Sequence, residues 1–155
     1  MHARTGAWLA IGALVLTASA GCASAQERYC STLKDDKPRL ESLGKAAATP
    51  GSDVLGTTLT LLESLQRKAP PDVRPDYDTV VAAYQALEGA LGAAHVDPKR
   101  WRPGTRPAGI TDGQYRSITQ AAHGLVSSDV LAASAHIEDH AQQVCEVNLS
   151  GNGGL

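Results

Sequence analysis

Two histidines near the C-terminus are spaced for joint chemistry. His136 and His140 are four residues apart, so on a helix they project from one side and could share a metal ion. With Ile137 as the centre of the buried face, His140 lies about 60° and His136 about 100° to one side, and Asp129 lies about 80° away on that side. Asp129, His136 and His140 therefore form an edge of the predicted last helix, and they are candidate ligands for a metal ion or a small molecule.

This histidine edge has two other interpretations. One helix supplies two nitrogen ligands, whereas zinc usually takes three or four protein ligands. We therefore favour a seam in which both imidazoles bond to a neighbouring helix or to water. A haem site with Tyr115 or Tyr84 as an axial ligand would use the same histidines, but the chain has no c-type haem attachment motif. We expect no bound cofactor.

A basic cluster interrupts the middle of the chain. Lys99, Arg100, Trp101 and Arg102, with Arg106 nearby, could contact phosphate, acidic glycan or anionic lipid head groups, with the tryptophan stacking or inserting. The alternative is a loop whose tryptophan packs on the protein while its basic side chains face water. The formal net charge is −2, so we favour this alternative and expect no nucleic-acid partner.

Motifs of catalysis are missing from the sequence. It contains no Gly-rich phosphate loop, no nucleophile elbow, no HExxH and no Cys-x-x-Cys. The carboxylates are scattered along polar faces. We expect no catalytic residue, and we predict that the protein is not an enzyme.

Residues 1–25 have the features of an export signal. A basic start is followed by an apolar run and then by small residues. Cleavage after Ala25 and lipoprotein-type cleavage before Cys22, which would then carry the lipid, both fit the pattern. The apolar run is shorter than the ~20 residues that a membrane-spanning helix needs, so we predict no transmembrane segment. The mature protein is expected to be secreted or extracytoplasmic, with a lipid anchor on the outer face of the cell membrane if Cys22 is acylated.

The cysteines support the same compartment. The chain has three cysteines, and either cleavage route leaves Cys30 and Cys145 free to pair. Disulfides persist in oxidising compartments. We therefore predict a disulfide between Cys30 and Cys145.

Helical periodicity runs through the predicted domain, residues 26–149, and a Gly-rich, flexible tail follows at 150–155. Thr111 and Gln114 fit a capping box. The segment 127–129 is expected to end the fourth helix and to begin the last one as an αα-hairpin, and 95–110 is a long connector without helical pattern. The predicted helices are 31–44, 53–69, 75–94, 111–127 and 128–147.

The predicted disulfide constrains the path of the chain. Five alternating helices would place Cys30 and Cys145 at opposite ends, so four passes or an extra reversal are required. The connector 95–110 is long enough to cross back along the bundle, with Trp101 packed on its side. The fold class that we predict is all-α, a four-to-five-helix bundle of up-down type with one long crossing connector, stapled by a disulfide between the first and last helices.

Several short motifs and their spacing resemble a group of small exported helical proteins of actinobacteria, many of which are called lipoproteins. The resemblance covers roughly residues 29–149, and it implies a helical domain bracketed by cysteines and no catalytic residue. It rests on Tyr29-Cys30, Ala69-Pro70-Pro71-Asp72, Val96-Asp97-Pro98, Pro107-Ala108-Gly109-Ile110-Thr111 and Val144-Cys145.

These observations favour a non-catalytic protein that is exported or lipid-anchored and presents an interaction surface to a partner in the cell envelope. The alternative is a module that binds a small ligand, a metal ion or haem at the histidine edge.

Overall fold

The computed structural model describes residues 24–46, 49 and 51–149. Within these residues it contains five α-helices and no strand, which confirms the all-α prediction. The predicted signal up to residue 23, the lipidation candidate Cys22 and the tail 150–155 lie outside the described residues. The helices are α1 (Ala25–Ala46), α2 (Val54–Lys68), α3 (Arg74–Ala93), α4 (Asp112–Gly124) and α5 (Ser128–Cys145).

Short polar side chains set where three of the helices begin. The Thr111 hydroxyl accepts a hydrogen bond from Gln114 N at 3.2 Å, and the Gln114 side chain accepts one from Thr111 N at 2.9 Å. This confirms the predicted capping box of α4. Asp53 and Ser127 cap α2 and α5, each by accepting a hydrogen bond from a backbone N–H three residues later. The caps satisfy donors that the first helical turn leaves free. These helices begin within one residue of their predicted starts, and α2 is capped by Asp53 and not by Ser52, the cap that the sequence suggests.

α1 begins at Ala25, six residues before the predicted start at Ser31. Ser24 N donates to Glu27 Oε2 at 2.6 Å, and Glu27 N donates to Ser24 Oγ at 3.1 Å, which is a second capping box. Hydrogen bonds from Ser24 lower the pKa of the Glu27 carboxyl. This signal was missed because Ser24 falls inside the predicted export signal. Pro38 lies inside α1 and does not end it.

α4 and α5 share one pass along α3. Gln114 Nε2 donates to Ala93 O at 3.4 Å, so α4 begins beside the end of α3. Farther along the chain, His136 of α5 contacts Asp76 near the start of α3. Both helices therefore run antiparallel to α3 and in the same direction as each other. The predicted αα-hairpin is wrong, because α4 and α5 each pack along α3 and not along each other.

The chain thus makes four passes, namely α1, α2, α3 and the α4/α5 pair. Four passes bring the start of α1 and the end of α5 to the same end of the bundle. Cys30 and Cys145 form a disulfide there, with their Cα atoms 5.1 Å apart. The predicted disulfide is confirmed. Of the two chain paths that would allow it, four passes or an extra reversal, the structure has the four passes. We call this end of the bundle the disulfide end.

The connector between α3 and α4 covers the opposite end, which we call the connector end. Its residues Pro98 and Trp101 line a cleft together with Ser52 and Leu55 at the start of α2. The connector therefore crosses the end of the bundle, whereas we expected it to cross along the length. No lengthwise return is needed, because α4 and α5 share a pass. Trp101 is half-buried against the core, as predicted.

Apolar side chains form two clusters, and α3 contributes to both. The first cluster joins the start of α3 to α1, α2 and α5 and includes Tyr29, Leu62 and Ile137. The second joins the end of α3 to α4 and is centred on Leu91 and Ile118. None of the described helices is long and apolar enough to cross a membrane. The two clusters place the histidine edge near one end of the molecule and the connector at the other.

Candidate functional site

The predicted histidine edge lies where α5 packs against the start of α3. His136 Nδ1 is 2.6 Å from Asp76 Oδ2, and His140 Nε2 is 3.2 Å from Asp72 Oδ2. The two aspartates are four residues apart and so are the two histidines, so antiparallel packing aligns them as two separate pairs. The His136 side chain is 58% exposed and that of His140 only 7%. The edge is thus half on the surface and half in the core.

Asp129 is not part of this arrangement. Its Oδ1 accepts a hydrogen bond from Ser128 Oγ at 3.3 Å, at the start of α5. Among the residues that the structure describes, no group of three or more His, Cys, Asp and Glu side chains is placed to hold a metal ion. The predicted ligands Asp129, His136 and His140 are therefore not brought together. The carboxylates that reach the histidines come from the α3 side, and the imidazoles bond to a neighbouring segment as the favoured interpretation expected.

His140 belongs to a buried polar cluster that joins three helices. The ring of Tyr29, on α1, meets the His140 ring edge to face with centroids 5.6 Å apart. The hydroxyls of Tyr29 and Tyr77 are 3.0 Å apart and hydrogen-bonded. Burial raises the pKa of both tyrosine hydroxyls, so both keep their protons and one donates to the other. The cluster ties α1, α3 and α5 together beside the disulfide.

One polar atom of the cluster is left over. His140 Nδ1 is buried and has no hydrogen-bond partner among the described residues. Because the Asp72 carboxylate is an acceptor, a neutral His140 carries its proton on Nε2 and leaves Nδ1 as an unfilled acceptor. The one donating nitrogen is already engaged. This geometry favours packing between helices over ligand binding.

The connector is the second candidate site, and its first half is held by a turn at Asp97. Asp97 Oδ1 accepts a hydrogen bond from Lys99 N at 3.0 Å. The backbone oxygen of Asp97 accepts from Arg100 N at 3.0 Å and from Trp101 N at 3.1 Å. These bonds fix the backbone on which the predicted basic cluster stands.

The second half of the connector is clamped by Arg106. Its Nη2 atom is 2.7 Å from Asp112 Oδ1 and donates to Ile110 O at 3.1 Å. The guanidinium also lies over the Tyr115 ring, 5.3 Å from its centroid. Gly109 adopts φ +78°, a left-handed conformation that favours glycine. Arg106 therefore fastens the connector to the start of α4.

The basic cluster divides into two pairs with different roles. Arg102 Nη1 donates to Lys99 O at 3.0 Å and to Trp101 O at 2.7 Å, so Arg102, like Arg106, is engaged with the connector backbone. The Lys99 ammonium and the Arg100 guanidinium are exposed and have no hydrogen-bond or ion-pair partner within the described part of the chain. These two cations remain available to a ligand or partner.

The chain was compared with known proteins. No family model, curated protein or solved structure matches it. The resemblance to small exported actinobacterial proteins stays a prediction.

Trp101 separates the clefts at the connector end. On one side is a cleft of about 630 Å³ that includes His95, Arg100 and Arg102. On the other side, a cleft of about 360 Å³ lies between the connector and α4. We call the first the basic cleft, the second the apolar cleft, and both together with the connector residues 95–110 the connector face.

The α4 side of the apolar cleft was missed by sequence reasoning. Its wall on α4 includes Tyr115, Thr119 and Ala122. The available signal was the pairing of a proline- and glycine-rich connector with small residues on the following helix.

Proposed function

We propose that this protein is a non-catalytic, extracytoplasmic binding protein and that the connector face is its interaction surface. The observation that carries the proposal is the pair of unengaged cations, Lys99 and Arg100, beside the half-buried Trp101. The histidines are already paired with carboxylates. Aromatic and arginine side chains held on a defined backbone are typical of binding hot spots.

The disulfide supports the compartment. Such bonds are rare where glutathione and thioredoxin keep thiols reduced. Cys145 is buried and Cys30 partly buried, and the pair links the first and last helices, which is the position of a structural staple. An extracytoplasmic location accounts for both observations.

The start of α1 supports a lipid anchor at Cys22 over cleavage after Ala25. Cleavage before Cys22 keeps Ser24 and its capping box with Glu27, whereas cleavage after Ala25 removes it. An N-cap serine contributes about 1 kcal/mol to helix stability. Mass spectrometry of the exported protein tests this: we expect an acylated N-terminal cysteine, and a free N-terminus at Gln26 would exclude the anchor.

The binding proposal is tested by site-specific photocrosslinking in intact cells. A benzoylphenylalanine at position 108 is expected to capture a discrete species, because Ala108 is exposed and lines the basic cleft, and its replacement leaves Lys99 and Arg100 in place. The same group at position 34 is the control, because Lys34 is an exposed cation on α1, remote from the connector face. Trp101→Ala should reduce capture at position 108. Equal capture at both positions, or capture that does not depend on Trp101, would contradict the proposal.

A further inference from the structure

We propose that the connector face binds a small amphiphilic anion, with its apolar part in the apolar cleft beside α4 and its anionic group at Arg100. This inference rests on the proposed function, because it names the class of ligand for the same surface. It commits to one soluble molecule of small size and not to a protein or a membrane.

The size and lining of the apolar cleft support the apolar half of the ligand. Its volume, about 360 Å³, is at the lower end of the range that small-molecule sites occupy. The lining is mainly aromatic and aliphatic, and Ile118 of the core lies at its base with 1% exposure. Such a lining stabilises a hydrocarbon or aromatic group by removing it from water. At the rim, Val126 is 66% exposed, so a bound ligand would also cover an apolar side chain that now faces solvent.

The basic cleft supports the anionic half. It shares Trp101 and Thr105 with the apolar cleft, so one ligand can reach both. Arg100 lies in this cleft and its guanidinium has no partner among the described residues. Asp97 lines the same cleft and its carboxylate accepts a hydrogen bond from Lys99 N, so the lining carries two cations, Arg100 and Arg102, against one carboxylate. A guanidinium binds carboxylate, sulfonate or phosphate oxygens in a planar, two-pronged geometry.

The walls of both clefts are held before any ligand arrives. The Asp97 turn holds the backbone that carries Arg100, and the Arg106 clamp holds the connector against α4. Gly104, at the mouth of the apolar cleft, adopts φ +75°, a bend that glycine takes without steric cost. A preformed site loses less entropy when it binds.

The test uses two fluorescent probes on the full, oxidised chain. Anilinonaphthalene sulfonate carries an apolar ring system and one anionic group, and phenylnaphthylamine is its neutral counterpart. We expect saturable binding of one anilinonaphthalene sulfonate per chain, tighter than that of the neutral probe and weakened by added salt.

Three variants locate the site. Ala122→Leu and Thr119→Leu each fill the apolar cleft and are expected to weaken both probes by at least about ten-fold. Arg100→Gln is expected to weaken only the anionic probe, by about two- to five-fold, as an exposed ion pair does. Controls are Ala135→Leu, which adds an exposed leucine on α5, and Arg116→Gln, which removes an exposed cation that lines neither cleft. Circular dichroism verifies that each variant is folded.

The outcomes separate this inference from the proposed function. Unchanged probe binding in both folded cleft-filling variants overturns the ligand site. Equal affinity for both probes, with no effect of Arg100→Gln, overturns the anionic assignment. If either occurs while photocrosslinking at position 108 still depends on Trp101, the connector face remains the interaction surface and only its ligand class is wrong.

Discussion

At the disulfide end, the buried side chain of His140 carries an energetic cost. His140 is almost completely buried with one unfilled acceptor, while its partner Asp72 is 67% exposed. An unsatisfied buried polar atom costs about 1 to 3 kcal/mol. Because Asp72 is largely exposed, water would replace its hydrogen bond if His140 were substituted. The cost of an unsatisfied buried atom therefore comes from the His140 ring and not from Asp72. The His140 ring packs against Tyr29, so this contact joins α5 to α1.

Replacing His140 tests whether packing or polarity matters. His140→Ala should lower the free energy of unfolding by about 2 kcal/mol, because it leaves a cavity against Tyr29. His140→Leu fills a similar volume without the unfilled acceptor, and it should remain within about 1 kcal/mol of the parent or be more stable. Urea unfolding followed by circular dichroism measures both. A leucine variant as unstable as the alanine variant would show that the histidine bonds are essential.

Alkaline pH should destabilise the protein through its buried tyrosines. Burial raises the pKa of Tyr29, Tyr77 and Tyr84 above the value of about 10 in an unfolded chain. The folded state then holds more protons than the unfolded state above that pH. Their contribution to stability is complete below pH ~10 and is lost as the pH rises further.

Phenolate absorbance and circular dichroism, recorded together against pH, check this prediction. We expect the phenolate signal of the buried Tyr29 and Tyr77 and of the partly buried Tyr84 to rise together with the loss of helix. The prediction would be contradicted if all the tyrosines ionised near the unfolded-chain pKa of about 10 while the protein stayed helical.

At the scale of helices, the sequence predicts starts better than directions. Thr111, Ser127 and Asp53 are caps, and a cap depends on residues three apart, so their signals are local. The end of α5 is less well predicted: it stops at Cys145 because Glu146 takes a left-handed conformation with φ 57°, and the apolar pattern continues past that point to Val147.

The direction of α5 and the make-up of the site depend on distant residues. The polar segment 127–129 is compatible with reversal or with continuation of the chain, and packing on α3 decides between them. Asp72 and His140 are 68 residues apart in sequence, so helical periodicity carries no information on their pairing. The sequence identifies His136 and His140 as candidate residues. Only the fold shows that Asp76 and Asp72 are their partners.

The capping box of α4 also positions one wall of the apolar cleft, and it is directly testable. Thr111→Ala should lower the free energy of unfolding by about 1 kcal/mol, because it leaves the Gln114 N–H without its acceptor. Thr111→Ser keeps a hydroxyl at the same place and is the matched control. Thermal unfolding measures both variants. Equal losses in alanine and serine would mean that the threonine methyl, and not the capping bond, is the stabilising group.

At the scale of the whole molecule, the two ends of the bundle are separated by the length of α3. A helix of its 20 residues is about 30 Å long. The chain enters α1 at the disulfide end, and the connector face lies at the other. A tether before Ser24 would therefore hold the disulfide end near its attachment and present the connector face away from it, which suits the proposed function.

Removing the disulfide should lower the free energy of unfolding of the whole domain. The bond closes a loop with a sequence separation of 115 residues, for which the chain-entropy model gives roughly 4 to 5 kcal/mol as an upper figure. A Cys30→Ser, Cys145→Ser double variant should lose up to that amount in urea unfolding, and single cysteine variants should lose a similar amount. A double variant as stable as the parent would contradict this assignment.

The same bond gives the domain the connectivity of a ring. Everything from Cys30 to Cys145 lies within one covalent circle, so a single backbone cut does not divide it. The connector offers trypsin two sites, after Lys99 and after Arg100, because Arg102 and Arg106 each precede a proline. A cut at either site would open the circle and leave its helices joined through the sulfur bridge. The nicked protein would have the helix order of a circular permutant, with new ends at the connector. A protein cut on its own binding face would therefore stay one molecule, and it would separate into two pieces only after reduction.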